Sequence, residues 1–164
     1  MNIALIAHDR KKELMVQFCM AYCGILAKHN LCATGTTGKL VSEATGLKIE
    51  RYLPGMQGGE EQISARVSYN EIDLVLFFRD PMSNSQYEPD IHVLARLCDM
   101  HNIPIATNAA TAEMLILGLD RGDLGAVCLV VDECLNGFAG AARVGGGGGA
   151  ALGGGEGRAL FHGG

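Results

Sequence analysis

Ala33-Thr34-Gly35-Thr36-Thr37-Gly38-Lys39 sets the pattern on which the rest of the chain is built. Apolar Leu31-Cys32-Ala33 leads into it and Leu40-Val41-Ser42-Glu43-Ala44 follows, so it reads as strand, tight turn, helix. Gly35 and Gly38 let the backbone turn sharply and come close to a ligand. The threonines add hydroxyl donors, and the helix behind them leaves N–H groups without intrahelical partners. A helix start of this kind is an anion site, most often for phosphate. It is not a Walker A loop, because Gly35 to Lys39 is too short and no Ser or Thr follows the lysine. A glycine turn with capping threonines is the other reading of the same residues.

The pattern repeats outward in both directions. Upstream, residues 2–7 form an apolar run that ends at His8-Asp9, and Arg10 to about Lys28 reads as one helix with Leu14, Met15, Phe18, Tyr22, Ile25 and Leu26 inward. Downstream, the helix stops near Gly46, and Lys48 to Leu53 alternates like an edge strand. The glycine loop Pro54 to Gln62 enters a helix that runs to about Asn70. Asp73 to Phe78 is a buried strand stopped by Arg79-Asp80-Pro81. Pro89 opens a helix carrying Ile91, Leu94, Ala95 and Leu97. Ile103 to Asn108 is a fifth strand, and Thr111 to about Leu119 a further helix.

Strands alternating with helices predict an α/β fold, a doubly wound five-stranded parallel sheet with helices on both faces. Ligands of such sheets bind beyond the carboxyl ends of the strands. Here those ends are His8-Asp9, Thr34 to Thr37, Gly55 to Glu60, Asp80 and Thr107-Asn108, each polar, glycine-rich or ionisable. Each also has a plainer reading. Asp9 and Asp80 can be strand-end caps, Thr107-Asn108 turn residues, and Lys12 a solvated lysine. Lys12 opposes the helix dipole, which points to another use.

The chain of 164 residues is long enough for a core, and its 48% hydrophobic and 19% charged residues are ordinary for a globular protein. A net charge of −5 gives no reason to expect nucleic acid or an anionic membrane as partner, so any phosphate site is local. The opening run is too short for a signal peptide and no run is long enough to span a bilayer. None of the six cysteines lies in a C-x-x-C pair, so they read as reduced thiols in a cytoplasmic core. Cys19 and Cys23 share a helix face among Phe18, Met20 and Tyr22, which makes them core rather than ligands. No metal or cofactor is expected. His29, His92, His101 and His162 have no carboxylate at catalytic spacing and read as surface. Of the 23 glycines, 13 fall in residues 137–164, so the chain divides into a domain over 1–136 and a low-complexity tail over 137–164 expected to be disordered. Residues 126–131 still look buried.

The rim segments resemble the methylglyoxal synthase family. They are Ile3-Ala4-Leu5-Ile6-Ala7-His8-Asp9, Ala33-Thr34-Gly35-Thr36-Thr37-Gly38, Gly58-Gly59 followed by an acid, Phe77-Phe78-Arg79-Asp80-Pro81, Pro89-Asp90, and Asn102 to Ala112. They come in family order and spacing over about residues 1–120. The resemblance implies a homohexameric, metal-free lyase that converts dihydroxyacetone phosphate to methylglyoxal and inorganic phosphate through an enediolate. It implies that Lys12, Thr34, Gly35, Thr36, Thr37, Pro54 and Gly55 form the phosphate cradle, and that His8, Asp9 and Asp80 line the site. The base falls at Glu60, with Asp80 and Asp90 the supporting carboxylates.

The chain departs from the family pattern at several of these positions. The family's aspartate base is Glu60, the glutamine after it is Glu61, the serine before the loop glycine is Pro54, and the carbonyl-polarising histidine is Tyr87. Pro54 brings neither hydroxyl nor N–H to the cradle. Glutamate serves as the base of triosephosphate isomerase, on a substrate of the same kind, and a tyrosine O–H can donate to a developing enolate oxygen. A second function class stays open on these residues, a phosphate-ligand binding or sensor module on the same fold, like the regulatory domain of carbamoyl phosphate synthetases.

Overall fold

The computed structural model describes residues 1–83 and 91–124, all within the unit Met1–Leu124. Strands β1 (Asn2–Ala7), β2 (Asn30–Ala33), β3 (Ile49–Arg51), β4 (Leu74–Phe78) and β5 (Ile105–Ala106) form one parallel sheet in the order β3-β2-β1-β4-β5. The expected five-stranded parallel sheet is therefore present. The central strands β1 and β4 come from the most continuous apolar runs. Ile3 to Ala7 and Leu74 to Phe78 are at most 2% exposed, as expected of strands covered on both faces.

Alternation along those strands divides the core in two. Ile3, Leu5, Leu76 and Phe78 pack with Met15 and Phe18 of α1 (Lys12–Ala21), Val41 of α3 (Gly35–Thr45) and Ile116 of α6 (Ala109–Arg121). Ala4, Ile6, Val75 and Phe77 pack with Ile63 and Val67 of α4 (Gly59–Ser68) and Leu94 and Cys98 of α5 (Ile91–Met100). Burial of each such large side chain stabilises by about 2 kcal/mol. The edge strand β3 is short and carries exposed Glu50 and Arg51, which blunts its open side.

Two elements and the facing of one residue differ from the sequence expectation. The single helix expected over 10–28 is a 3-10 turn (Asp9–Lys11), α1 and a separate turn α2 (Cys23–Leu26). The break falls at Tyr22, whose φ of −107° and ψ of 20° leave the helical region. Its hydroxyl is drawn outward, donating to Glu113 Oε1 at 2.7 Å. Leu14, expected inward, is 37% exposed because the apolar stripe of α1 runs through Met15, Phe18 and Cys19 instead. The fifth strand shrinks to two residues. Pro104 has no N–H for the ladder, although its carbonyl still accepts from Val75 N at 3.0 Å. Pro89, residues 126–131 and the glycine-rich tail lie outside the described residues.

Candidate active site

The chain builds β1, β2 and β3 outward in one direction, then crosses back to place β4 on the other side of β1. The reversal between β1 and β4 is the switch point at which open α/β sheets bind ligands. His8 follows β1 there and Asp80 follows β4. Both are buried, at 5% and 7% exposure. The Asp80 N–H donates to His8 Nδ1 at 2.9 Å, so in the neutral ring the proton sits on Nε2. The His8 ring meets Phe77 edge-on at 5.3 Å. Asp80 Oδ1 accepts from Met82 N at 3.0 Å, and its buried Oδ2 has no hydrogen bond among the described residues, an arrangement that calls for a donor.

Lys12 begins α1 but does not extend into solvent. Its Nζ turns back to the Ala7 carbonyl at 3.3 Å and pairs with the Asp9 carboxylate. Its side chain is 17% exposed against 77% for Asp9, so the ammonium is held at the end of β1 while its counter-ion faces water. That placement accounts for a cation at a helix start, where the dipole disfavours it.

Thr34 stands as N-cap of α3, but its side chain caps no amide. Its hydroxyl bonds instead to Thr37 Oγ1 at 3.3 Å, and both residues are buried while Thr36 is exposed. The Thr36 and Thr37 amides therefore open α3 without a side-chain cap. Gly35 has a different part. Its N–H donates to the Leu53 carbonyl at 3.1 Å, and a Cβ there would lie 2.8 Å from Tyr52 O and 3.1 Å from Pro54 N. A Cβ on Gly38 would lie 2.9 Å from Arg51 Cγ. The close approach expected of these glycines is an approach of protein to protein.

Glu60 is the second residue of α4 and half-buried, at a helix start whose first-turn amides lack intrahelical partners. The 3-10 turn Gly55–Gln57 and Gly58, at φ +97°, lead into it. Of the residues expected from the sequence, the structure thus places His8, Asp9, Lys12, Thr34 to Thr37, Pro54, Gly55, Glu60 and Asp80 at the carboxyl ends of β1 to β4. Tyr87 and Asp90 lie outside the described residues. Asn108 is a cap, its side chain accepting from Thr111 N at 3.0 Å. His29 and His101 are engaged elsewhere, with the amino terminus at 3.4 Å and Asn70 Oδ1 at 2.9 Å. No metal-binding cluster occurs among the described residues.

Leu53 and Gln62 are the participants that sequence reasoning missed. The Leu53 N–H donates to Gln62 Oε1 at 2.9 Å, and the Pro54 carbonyl accepts from Gly59 N at 3.2 Å. The available signal was the paired Gly58-Gly59, the second of which leaves room for the Leu53 carbonyl. A cavity of about 780 Å³ lies at the opposite, amino-terminal edge of the sheet, among Asn2, Asn30, Leu31, Lys48 and Ile49. Its polar groups pair largely with one another, Asn30 with Asn2 at 3.0 Å and Arg66 with Glu50 at 2.9 Å. It lies away from the strand-end carboxylates.

Residues 15–107 match the family described as the MGS-like domain. A methylglyoxal synthase of Caldicellulosiruptor saccharolyticus is 64% identical over 124 residues, 76% of this chain and 88% of that protein. One from Thermoanaerobacterium thermosaccharolyticum is 57% identical over 122 residues, 74% of this chain and 91% of its own. The crystal structure of a methylglyoxal synthase from Elizabethkingia anophelis is similar with a TM-score of 0.68 and 42% identity, covering 70% of this chain and 76% of that one.

Proposed function

We propose, from the premise that the chain belongs to the methylglyoxal synthase family, that it is a phosphate lyase converting dihydroxyacetone phosphate to methylglyoxal and inorganic phosphate. The observation that carries this reading is the pairing of two helix starts on one rim. One, after β2, offers uncapped threonine amides, with Lys12 held at the end of the neighbouring β1, and the other offers the Glu60 carboxylate.

The phosphate sits against the Thr36 and Thr37 amides and the hydroxyls of Thr34, Thr36 and Thr37. The Gly55 backbone and Lys12 complete its contacts, and the Gly35 and Pro54 backbones line the cradle. Glu60 removes a proton from the hydroxymethyl carbon next to the carbonyl, leaving an enediolate. His8 lines the site with Nε2–H as donor, beside Asp9 and Asp80. Tyr87 donates to the enolate oxygen and Asp90 is the supporting carboxylate. Loss of the hydroxyl proton and departure of phosphate leave the enolate of methylglyoxal, which takes a proton at its terminal carbon. The sequence of bonds made and broken needs no redox cofactor. The family also carries a homohexamer as the expected assembly and the cytoplasm as the expected location. Among the described residues no helix is long and apolar enough to cross a membrane.

The test is a colorimetric assay for methylglyoxal with purified protein and dihydroxyacetone phosphate. Wild type is expected to turn over, and Glu60→Gln to lose about 10²- to 10⁴-fold in kcat, the usual worth of a general base, while binding inorganic phosphate within a few-fold of wild type. Phosphate binding without methylglyoxal from wild type would make the protein a binding module. A fully active Glu60→Gln would move the base elsewhere.

A further inference from the structure

We propose that the Leu53-Pro54 peptide is a strut that fixes the phosphate-binding helix start against the carboxylate-bearing one, with Gly35, Gly59 and Gln62 as its positioning residues. The peptide leaves β3 and is tied on both sides. Toward α3, the Leu53 carbonyl accepts the Gly35 N–H at 3.1 Å. Toward α4, the Leu53 N–H donates to Gln62 Oε1 at 2.9 Å and the Pro54 carbonyl accepts the Gly59 N–H at 3.2 Å. Contact is as close as the bonding. A Cβ on Gly59 would lie 1.9 Å from Leu53 O and 2.9 Å from Leu53 C, backbone atoms that cannot rotate aside. On the other side, a Cβ on Gly35 would lie 3.2 Å from Pro54 Cδ. Pro54 also fixes its own φ, which removes one way for the strut to flex.

The consequence is a set distance between the two helix starts. α3 and α4 lie on opposite faces of the sheet and belong to separate halves of the core. Packing of either helix alone does not specify where Glu60 stands relative to Thr36 and Thr37. The strut does, because Glu60 directly follows Gly59 and the threonine amides directly follow Gly35. Adding one methyl at Gly59 must drive the start of α4 off the peptide by roughly 1 Å, a displacement large enough to cost about 10²-fold in rate. Phosphate keeps its contacts with the α3 threonines and Lys12, and only its contact with the Gly55 backbone is exposed to the shift.

This inference rests on the lyase reading for its kinetic test, and a structural measurement keeps the two separable. Gly59→Ala and Gln62→Met, the second similar in length but without the acceptor, are assayed for kcat and for affinity toward inorganic phosphate. A crystal structure of Gly59→Ala gives the Glu60 Cα position relative to Thr34. The expected result is kcat down about 10²-fold for Gly59→Ala and about 10-fold for Gln62→Met. Phosphate affinity should stay within about 3-fold in both, and Glu60 should shift by about 1 Å. If Gly59→Ala does not fold, Gln62→Met reads the same split, because Gln62 is exposed and outside the core. Unchanged kcat in a folded variant, equal loss of kcat and phosphate affinity, or an unmoved Glu60 overturns the strut. A wild type that makes no methylglyoxal overturns the lyase reading alone, and the Glu60 displacement then decides the strut.

Discussion

Lys12 and Asp9 show how a residue-level pairing sets what a ligand must do. The Lys12 ammonium is held by the Ala7 carbonyl and the Asp9 carboxylate. On the proposed lyase reading, a phosphate dianion arriving at α3 would compete with Asp9 for that cation. Asp9 is largely exposed, so the pair is worth less than about 1 kcal/mol. Asp9→Asn is accordingly expected to tighten phosphate binding by about 2- to 5-fold, read by calorimetry. An unchanged or weaker affinity would mean that Lys12 is not part of the phosphate site. The cradle itself has a sharper test. Saturating inorganic phosphate should raise the melting temperature, with about 2.7 kcal/mol of stabilisation at a hundredfold excess over Kd. Lys12→Ala combined with Thr36→Ala should abolish the shift, and a full shift in that double variant would place the anion elsewhere.

Among the elements, the helix starts differ in how their first amides are met. α6 begins with an ordinary cap, Asn108 accepting from Thr111 N. α3 begins with Thr34, which caps nothing and bonds sideways to Thr37. The first arrangement stabilises the helix, and the second leaves the first-turn amides of α3 without a side-chain cap, as the proposed phosphate site requires. Asn108→Ala should therefore lower stability by about 1 kcal/mol in urea denaturation. A midpoint identical to wild type would show that the cap contributes nothing. The threonine turn was legible in the sequence because hydroxyls before an apolar helix are a local pattern. Its internal bond was not, since a Thr34 side chain that caps and one that pairs with Thr37 have the same sequence.

For the molecule as a whole, buried thiols link stability to alkaline pH. Burial pushes Cys19 up from 9.0 to about 12, with neighbouring Cys23 adding to it. Burial likewise raises Cys32 and Cys98 to about 11. The unfolded chain then ionises first, so stability is full below pH 9 or so and falls as pH rises toward the folded values. At about pH 10 the loss should be about 1 kcal/mol per thiol relative to about pH 8. Urea titrations at the two pH values measure it. A variant with Cys19, Cys32 and Cys98 all replaced by Ala should show a markedly smaller drop, and an equal drop would assign the loss to other groups.

Sequence alone determined the sheet, the two-faced core and the rim, because apolar runs, alternation and punctuating polar residues are properties of neighbouring positions. Ile3 to Ala7 and Leu74 to Phe78 announce central strands before any contact is known. It also marked His8, Lys12, the threonine turn and Glu60 as strand-end residues. What meets what across that rim depends on how segments far apart in the chain pack together. The hydrogen bond from Asp80 N to His8 joins residues 72 positions apart. The turn of Lys12 back onto Ala7 and the seating of Leu53-Pro54 between Gly35 and Gly59 depend on how separate segments approach one another. A glycine pair in a sequence says that space is needed. Whether a substrate or a backbone carbonyl fills it is settled by chain segments whose separation no local pattern encodes.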